Sequence, residues 1–340
     1  MSNKPTIKTI AEMAGVSHVA VSKALRGHPD ISKETTARIQ KIANDVGYIP
    51  NIAARNLSSN SSTTIGLIVP TMEDNTSYNP IFNTISSLAA QKGYCVMLGS
   101  SHRSKELEEH HCKMMIENRV GAIIIAPCSS DNEHIKRICS NQVPLIFIGG
   151  KSSPDSEYSV HCNYRFSAEL VVSHLYQLGH RKIALFTYEP ENLTILQKEE
   201  GFRVAMQQRQ LQPTIYRFGQ SNDTIAAGHE LTRRLIAHHA LPTAIWCASD
   251  LMAIGVHSCL REHGFQIPAD ISLIGHDNLY FCELPDIKLT SLAIPTAIIA
   301  ESAVNLAIGC MSQQTNLYKK QSFQTQLVIR SSTGLAPSNL

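Results

Sequence analysis

The chain has 340 residues, and its content of 43% hydrophobic and 17% charged residues is ordinary for a globular protein of about two domains. We expect neither a membrane helix nor a secretory signal, because Pro295, Glu301 and Asn305 interrupt the longest apolar stretch and the amino terminus lacks an apolar run. The nine cysteines are scattered singly, which is typical of reduced thiols and predicts a cytoplasmic protein.

The net charge of +2 is unevenly distributed along the chain. Residues 1–60 carry eight Lys or Arg against four Asp or Glu, whereas the other 280 residues carry 22 against 24. A basic amino-terminal segment on a slightly acidic body favours an anionic partner for that segment, such as a nucleic acid.

The first 47 residues are predicted to form three short helices. Thr9 and Glu12 have the spacing of a capping box, which sets the start of the first helix at Thr9. Ser17 and Ser32 can cap the second and third helices, and a glycine follows each helix where a C-cap would lie. Two short helices joined by a tight turn with glycine are typical of a helix-turn-helix.

The second predicted helix has an apolar inner face and a mixed outer face. Val21 and Ala24 point inward at helical spacing, and the outer face carries His18, Val19, Ser22, Lys23 and Arg26. A short helix with these outward side chains suits the major groove of DNA. A three-helix surface module without a DNA role has the same spacing, so the pattern alone leaves both interpretations open.

A linker and a long α/β region follow the helices. Residues 50–58 have some helical character, and the tract from Ser58 to Thr64 contains no apolar side chain, which predicts a linker between domains. From Ile65 onward, β-branched runs alternate with helical stretches, which predicts two lobes with parallel sheets covered on both faces and a ligand crevice at the carboxyl ends of the strands. The strand-like runs are 65–70, 95–100, 121–127, 144–150, 182–187, 243–249 and 271–277.

Signatures of catalysis and of metal binding are missing from the sequence. The segment Gly150-Lys151-Ser152 ends like a phosphate-binding loop, but Leu145 stands where the first glycine is required, and no G-x-G-x-x-G, G-x-S-x-G or H-E-x-x-H motif occurs. Adjacent histidines such as the pair at 238–239 point in different directions on a helix and rarely chelate one metal. We therefore predict no enzymatic activity, no cofactor and no metal.

Motifs along nearly the whole chain resemble LacI/GalR-family transcription regulators. They include A-x-x-A-G-V-S-x-x-x-V-S from Ala11, G-Y-x-P-N-x-x-A-x-x-L from Gly47, I-G-L-I-V-P from Ile65, S-D-L-M-A-I-G from Ser249 and I-G-H-D-N from Ile274. The resemblance implies a helix-turn-helix head at 1–49, a hinge helix and linker at 50–62, and a core like a periplasmic binding protein at 63–340. The core would have two Rossmann-like lobes, an N-lobe at about 63–161 and 293–322 and a C-lobe at about 162–292 and 323–340.

The resemblance implies that the second helix reads operator DNA and that the hinge helix enters the minor groove. Lys23 would meet a guanine edge or a phosphate, and Leu57 would wedge between base pairs. Ala20 departs from the usual Thr, so one backbone contact is missing. We expect a homodimer on a pseudo-palindromic operator. The implied DNA contacts are Ser17, His18, Val19, Ser22, Lys23, Arg26 and Ser32 in the head and Asn51, Ala54, Arg55 and Leu57 in the hinge.

The resemblance also places a small-molecule effector in the cleft between the lobes, with contacts from Ile81, Phe82, Lys198, Ser249, Asp250 and Asp277. Four cleft positions depart from the family's pattern: Lys198 replaces Arg, Ser249 replaces Asn, Cys162 replaces Asp and His276 replaces Phe. These departures argue against a standard, unmodified sugar as the effector. From the resemblance we expect a repressor of a sugar or carbon-catabolism operon, while a nucleobase or a phosphorylated sugar stays open as the effector. A solute-binding receptor and an α/β enzyme are the remote alternatives.

Overall fold

A computed structural model describes residues 5–49, 62–72, 78–149, 157–189, 193–219 and 224–337. The chain divides into two compact units, Met1–Ser61 and Ser62–Leu340. Each unit has a hydrophobic core of its own.

The first unit contains three helices around a small core. Ile10, Val21, Ala24 and Ile39 are fully buried in that core, and they come from all three helices. The helices are α1 (Ile7–Ala14), α2 (His18–Leu25) and α3 (Lys33–Asp45).

The predicted caps of α2 and α3 are confirmed, but the predicted start of α1 is wrong. Ser17 and Ser32 accept hydrogen bonds from backbone N–H groups three residues later. The first helix begins at Ile7, because Thr6 is its N-cap and Thr9 completes the capping box that we had assigned to Thr9 and Glu12. The earlier start lets Ile7 pack against the core of the unit.

The second unit contains two six-stranded sheets among its described residues. The first sheet has the order β11-β5-β4-β3-β1-β2 and is parallel throughout. Its strands are β1 (Thr64–Val69), β2 (Cys95–Ser100), β3 (Ala122–Ile125), β4 (Leu145–Gly149), β5 (Tyr158–Cys162) and β11 (Lys320–Phe323). The helices α4 (Tyr78–Gln91) and α11 (Thr296–Met311) share one core cluster with this sheet, and α5 (Lys105–Glu117) and α6 (Glu133–Cys139) share another.

The second sheet has the order β12-β10-β9-β8-β6-β7, and only the pairing of β12 with β10 is antiparallel among its described strands. Its strands are β6 (Ile183–Tyr188), β7 (Thr214–Phe218), β8 (Ala244–Cys247), β9 (Ser272–Asp277), β10 (Thr290–Ala293) and β12 (Gln326–Val328). Helices α7 (Tyr164–Gln177) and α8 (Leu193–Gln208) contribute to one core cluster, and α9 (Thr224–Ala237) and α10 (Asp250–Glu262) contribute to another.

The predicted fold class, a helical head followed by two parallel α/β sheets, is confirmed. All seven predicted strands form, each within two residues of its predicted ends. The chain passes from the first sheet to the second after β5, returns after β10 and passes again after β11. The longest apolar stretch forms α11, and no helix in the described part of the chain is long and apolar enough to cross a membrane.

Two glycines allow α9 and α10 to approach each other backbone to backbone. A methyl group at Gly228 would overlap the carbonyl oxygen of Met252, and one at Gly255 would overlap the carbonyl oxygen of Ile225. Because the obstacles are backbone atoms, neither clash can be relieved by a rotamer change. This crossing therefore fixes the position of α10, whose first residues reach the ligand cleft described below.

We expect Gly255→Ala to lower the free energy of unfolding by about 2 kcal/mol. Overpacking costs about 1–3 kcal/mol, and a clash with backbone atoms is expected at the upper end of that range, so a loss of about 2 kcal/mol remains after the roughly 1 kcal/mol that alanine adds to helix propensity. Urea unfolding followed by circular dichroism measures the change. Gly219→Ala is the control, because a methyl group there meets no atom within 4 Å, and it should change stability by less than about 0.5 kcal/mol. Equal stability of the two variants would contradict the close crossing.

Candidate nucleic-acid interface and ligand cleft

The outer face of α2 presents an apolar side chain between polar ones. Val19 is 52% exposed, which is unusual for a valine and makes its methyl groups available to an apolar partner such as a thymine methyl. His18 and Arg26 are also exposed, and Ser22 and Lys23 are half-buried. The buried positions of α2 are Val21 and Ala24, as the helical spacing predicts.

Several of the polar groups on this surface already have intramolecular partners. Lys23 Nζ lies 2.6 Å from Asp30 Oδ2, and Arg26 Nε donates to the carbonyl of Ser22 at 3.0 Å. The hydroxyl of Ser17 accepts from the backbone of Ala20, which leaves its proton available to a phosphate oxygen.

The remaining predicted DNA contacts fall into two groups. Ser32 donates its hydroxyl proton to Thr35 Oγ1 while capping α3, so a phosphate contact by Ser32 would have to displace Thr35. The predicted hinge contacts lie outside the described residues: Asn51, Ala54, Arg55 and Leu57.

The second candidate site surrounds Asp277, the last residue of β9. Its backbone φ of 110° is a conformation that residues other than glycine rarely adopt. Burial raises the pKa of the Asp277 carboxyl to about 8, although the ammonium group of Lys198 acts in the opposite direction. Burial raises the pKa of Tyr78 on α4 and of Tyr188 on β6 to about 12, and the charge of Asp277 adds a smaller contribution to each, so residues from both sheets lie near this carboxyl.

Asp250 holds the strained turn after β9 in place. The Asp250 carboxylate is fully buried, and its two oxygens accept hydrogen bonds from the hydroxyl of Ser291 at 2.6 Å and from the backbone N–H of Leu279 at 2.7 Å. A methyl group at Gly275 would overlap this carboxylate, so glycine is required there. Asp250 is also a predicted effector contact; each of its oxygens accepts one hydrogen bond within the protein, and these bonds hold the turn that carries Asp277.

Lys198 brings a buried ammonium group next to Asp277. Its Nζ donates to the carbonyl of Ala248 at 2.8 Å and lies 5.2 Å from the centre of the Tyr164 ring. Burial lowers the pKa of Lys198, while Asp277 and Cys162 act to raise it. Burial also raises the pKa of the Cys162 thiol to about 12, so a neutral thiol stands where the sequence pattern led us to look for a carboxylate.

His276 lies behind the cleft. The fully buried ring packs between Trp246 and Tyr164, with centroid distances of 6.3 Å and 5.6 Å. Burial and the charge of Lys198 hold its pKa well below the usual value, so the imidazole is neutral. Neither ring nitrogen has a hydrogen-bond partner within the described ranges. These surroundings make His276 a packing residue and oppose its use as a cationic anchor for an anionic ligand.

The other predicted effector contacts divide between the cleft and the core. Ser249 caps α10, and its hydroxyl shares a 3.1 Å hydrogen bond with the hydroxyl of Tyr188, so it stands at the cleft. Ile81 is buried in the core cluster between α4 and the first sheet, and Phe82 is half-buried against that cluster. The structure therefore brings Lys198, Ser249 and Asp277 together, and it places Ile81 in the hydrophobic core.

Sequence reasoning missed three tyrosines that surround Asp277. Tyr78 and Tyr164 stand at the starts of α4 and α7, and Tyr188 ends β6. The available signal was an aromatic residue directly at a strand end or helix start facing the crevice, but no motif distinguishes it from ordinary packing. The described residues contain no group of three His, Cys, Asp or Glu side chains placed to hold a metal ion.

Family profiles match both units of the chain. A family profile described as bacterial regulatory proteins, lacI family, matches residues 6–51, and a periplasmic binding protein-like domain profile matches residues 172–333. The transcriptional repressor CytR of Escherichia coli is 28% identical and covers 98% of this chain and 97% of its own length. The repressor PurR of Histophilus somni is 26% identical and covers 96% and 98%, respectively.

A solved structure is similar over the same length. The lac repressor dimer bound to operator and an anti-inducer has a TM-score of 0.88 and 25% sequence identity, and the match covers 98% of this chain and all of that chain. The helical head and the two parallel sheets thus have counterparts in one DNA-bound protein.

We expect Asp277→Asn to change the pH dependence of stability. Because the pKa of Asp277 in the folded chain is about 8 and its ordinary value is 3.8, its contribution to stability is complete below about pH 4 and is lost as the pH rises to 8. Asparagine cannot ionise, so the free energy of unfolding of the variant relative to the wild type should increase between pH 5 and 8. Urea unfolding at stepped pH measures the difference, and a difference that does not change with pH would contradict this burial.

Proposed function

The chain belongs to the lacI family of bacterial regulatory proteins, and we propose that it represses a sugar or carbon-catabolism operon as a homodimer on a pseudo-palindromic operator. As a member of this family it is a helix-turn-helix transcriptional repressor with an effector domain, and it is not an enzyme. The observation that carries the proposal is the outer face of α2, where Val19 and its polar neighbours are presented from a helix capped at Ser17.

Consecutive segments of the chain have different proposed functions. Residues 1–49 bind the operator in the cytoplasm, residues 50–62 form the hinge, and residues 63–340 bind the effector. A two-fold dimer supports two half-sites, since each head meets one of them. We place the lobes at about 63–161 with 293–322 and at about 162–292 with 323–340, which is supported by the strands that each sheet contains.

The chemistry of the cleft supports a neutral, polyhydroxylated effector. The Asp277 carboxyl can accept hydrogen bonds from ligand hydroxyls, and Lys198 and Ser249 add donors beside it. The neutral, buried state of His276 removes the argument for a phosphorylated sugar.

A nucleobase is the second candidate effector. The charge of Asp277 acts on the phenol groups of Tyr78, Tyr164 and Tyr188, so these aromatic side chains lie near it, and flat aromatic surfaces stack favourably on a base. The carboxyl of Asp277 can accept from an exocyclic amine as well as from a hydroxyl. The two candidates therefore use the same carboxylate and differ in how much they need the rings.

Gel retardation with DNA from upstream of the chain's own gene tests whether the protein binds an operator. We expect the wild type to give a specific band that competitor DNA of unrelated sequence does not remove. Leu57→Ala should weaken that band about tenfold or more while non-specific, salt-sensitive binding is largely retained. Leu335→Ala, an exposed leucine in the carboxyl-terminal segment, is the matched control. Equal loss of specific and non-specific binding in Leu57→Ala would rule out the wedge.

Isothermal titration identifies the effector class. We expect one neutral sugar from a panel of sugars, sugar phosphates and nucleobases to bind, and Asp277→Asn to weaken it about ten- to hundredfold, because an amide has one acceptor oxygen where the carboxyl group has two and a buried ligand hydroxyl loses its partner. Glu117→Gln, at the exposed end of α5, is the control and should bind normally. If only a nucleobase binds, the sugar hypothesis is wrong and the nucleobase is the effector class.

A further inference from the structure

An ion pair ties the recognition helix to the loop that follows it. Lys23 Nζ on α2 lies 2.6 Å from Oδ2 of Asp30, which stands in the loop between α2 and α3. The two side chains are 34% and 55% exposed, so the pair faces solvent. His28 Nδ1 lies 3.4 Å from the same carboxylate oxygen. Lys23 and His28 both lower the pKa of Asp30 from its ordinary value of 3.8, so Asp30 is a carboxylate at neutral pH.

A carboxylate at this position changes how the surface meets DNA. Lys23 is one of the side chains proposed to approach the duplex, and its ammonium group is the group that a phosphate would attract. Asp30 cancels that charge at short range and would itself be repelled by phosphates. The head therefore offers DNA one cation fewer than its sequence suggests.

The pair does not block a directed contact by Lys23. An ammonium group has three N–H donors, and the hydrogen bond to Asp30 uses one of them. The exposed part of the side chain leaves the others free to reach the O6 and N7 acceptors of a guanine. Holding Nζ at Asp30 also restricts the rotamers of a flexible side chain before DNA arrives.

We propose that Asp30 is a specificity-determining residue of the head. Its ion pair with Lys23 weakens the contacts of Lys23 with phosphates and orients the ammonium group toward an acceptor on a base. Binding to DNA of any sequence depends mainly on net charge, so the pair weakens it. Binding to the operator also depends on directed contacts with bases, so the ion pair lowers the affinity for the operator less than the affinity for other DNA. The inference rests on the proposed function only in that α2 must face DNA.

Asp30→Asn tests the inference in the full-length chain, with Asp45→Asn as the matched control. Both substitutions remove one negative charge from the head, but Asp45 is the last residue of α3, about 18 Å along the helix axis from its first residue. Both residues are exposed, so we expect both variants to fold, and thermal unfolding checks this. Fluorescein-labelled duplexes, one with the upstream operator and one with a scrambled sequence, are followed by anisotropy.

On the scrambled duplex, we expect Asp30→Asn to bind about two- to fivefold more tightly than Asp45→Asn, as the typical strength of an exposed ion pair implies. Its affinity should also fall more steeply with salt, by about one additional released counterion. The ratio of operator affinity to scrambled affinity should decrease. In a Lys23→Met background, the difference between Asp30→Asn and Asp45→Asn should become smaller, because only the direct repulsion of Asp30 by phosphates remains.

Indistinguishable behaviour of the two variants on the scrambled duplex would overturn the inference, as would a larger gain on the operator than on the scrambled duplex. If the wild type itself binds both duplexes equally, the proposed operator binding fails. The comparison on the scrambled duplex still decides whether Asp30 withholds Lys23, so the two failures are distinguishable.

Discussion

The buried carboxylate of Asp250 joins three elements of the second sheet's lobe. It begins α10, accepts from Ser291 on β10 and accepts from the backbone after β9. An unpaired buried carboxylate is costly, so each of these bonds is needed and each fixes one element relative to the others. The strained backbone at Asp277 persists because this arrangement leaves the turn no alternative.

The glycine crossing of α9 and α10 supports the same arrangement from behind. Since backbone meets backbone there, α10 cannot slide along α9, and its first turn stays in register with β9 and β10. Asp277 and Ser249 are thus held in place by the hydrogen bonds of Asp250 and by the glycine crossing. The head has a separate small core, so its outer face can differ between relatives without any change to the cleft.

The sequence predicted best those features that depend on continuous apolar runs. Six of the seven predicted strands are largely buried, and the exception is the edge strand β2, which has exposed residues. The apolar runs did not predict β7, which lies at a sheet edge with partly exposed residues. In the cleft, the motif around Asp250 gave its position but not its role, because a motif does not show whether a carboxylate faces a ligand or a neighbouring backbone. The tyrosines around Asp277 were missed because their grouping arises only from the packing of both sheets.

The chain contains a single tryptophan, and its position gives the protein an intrinsic optical reporter. Trp246 is fully buried and stacks on His276, directly behind the residue that carries the cleft's carboxyl group. The indole emission of the whole protein therefore originates from one place beneath the ligand cleft, and none of it comes from the helical head. Ligand binding in the cleft can thus be followed by the tryptophan emission of the unlabelled protein. DNA binding can be followed in the same sample by the signal of a labelled duplex.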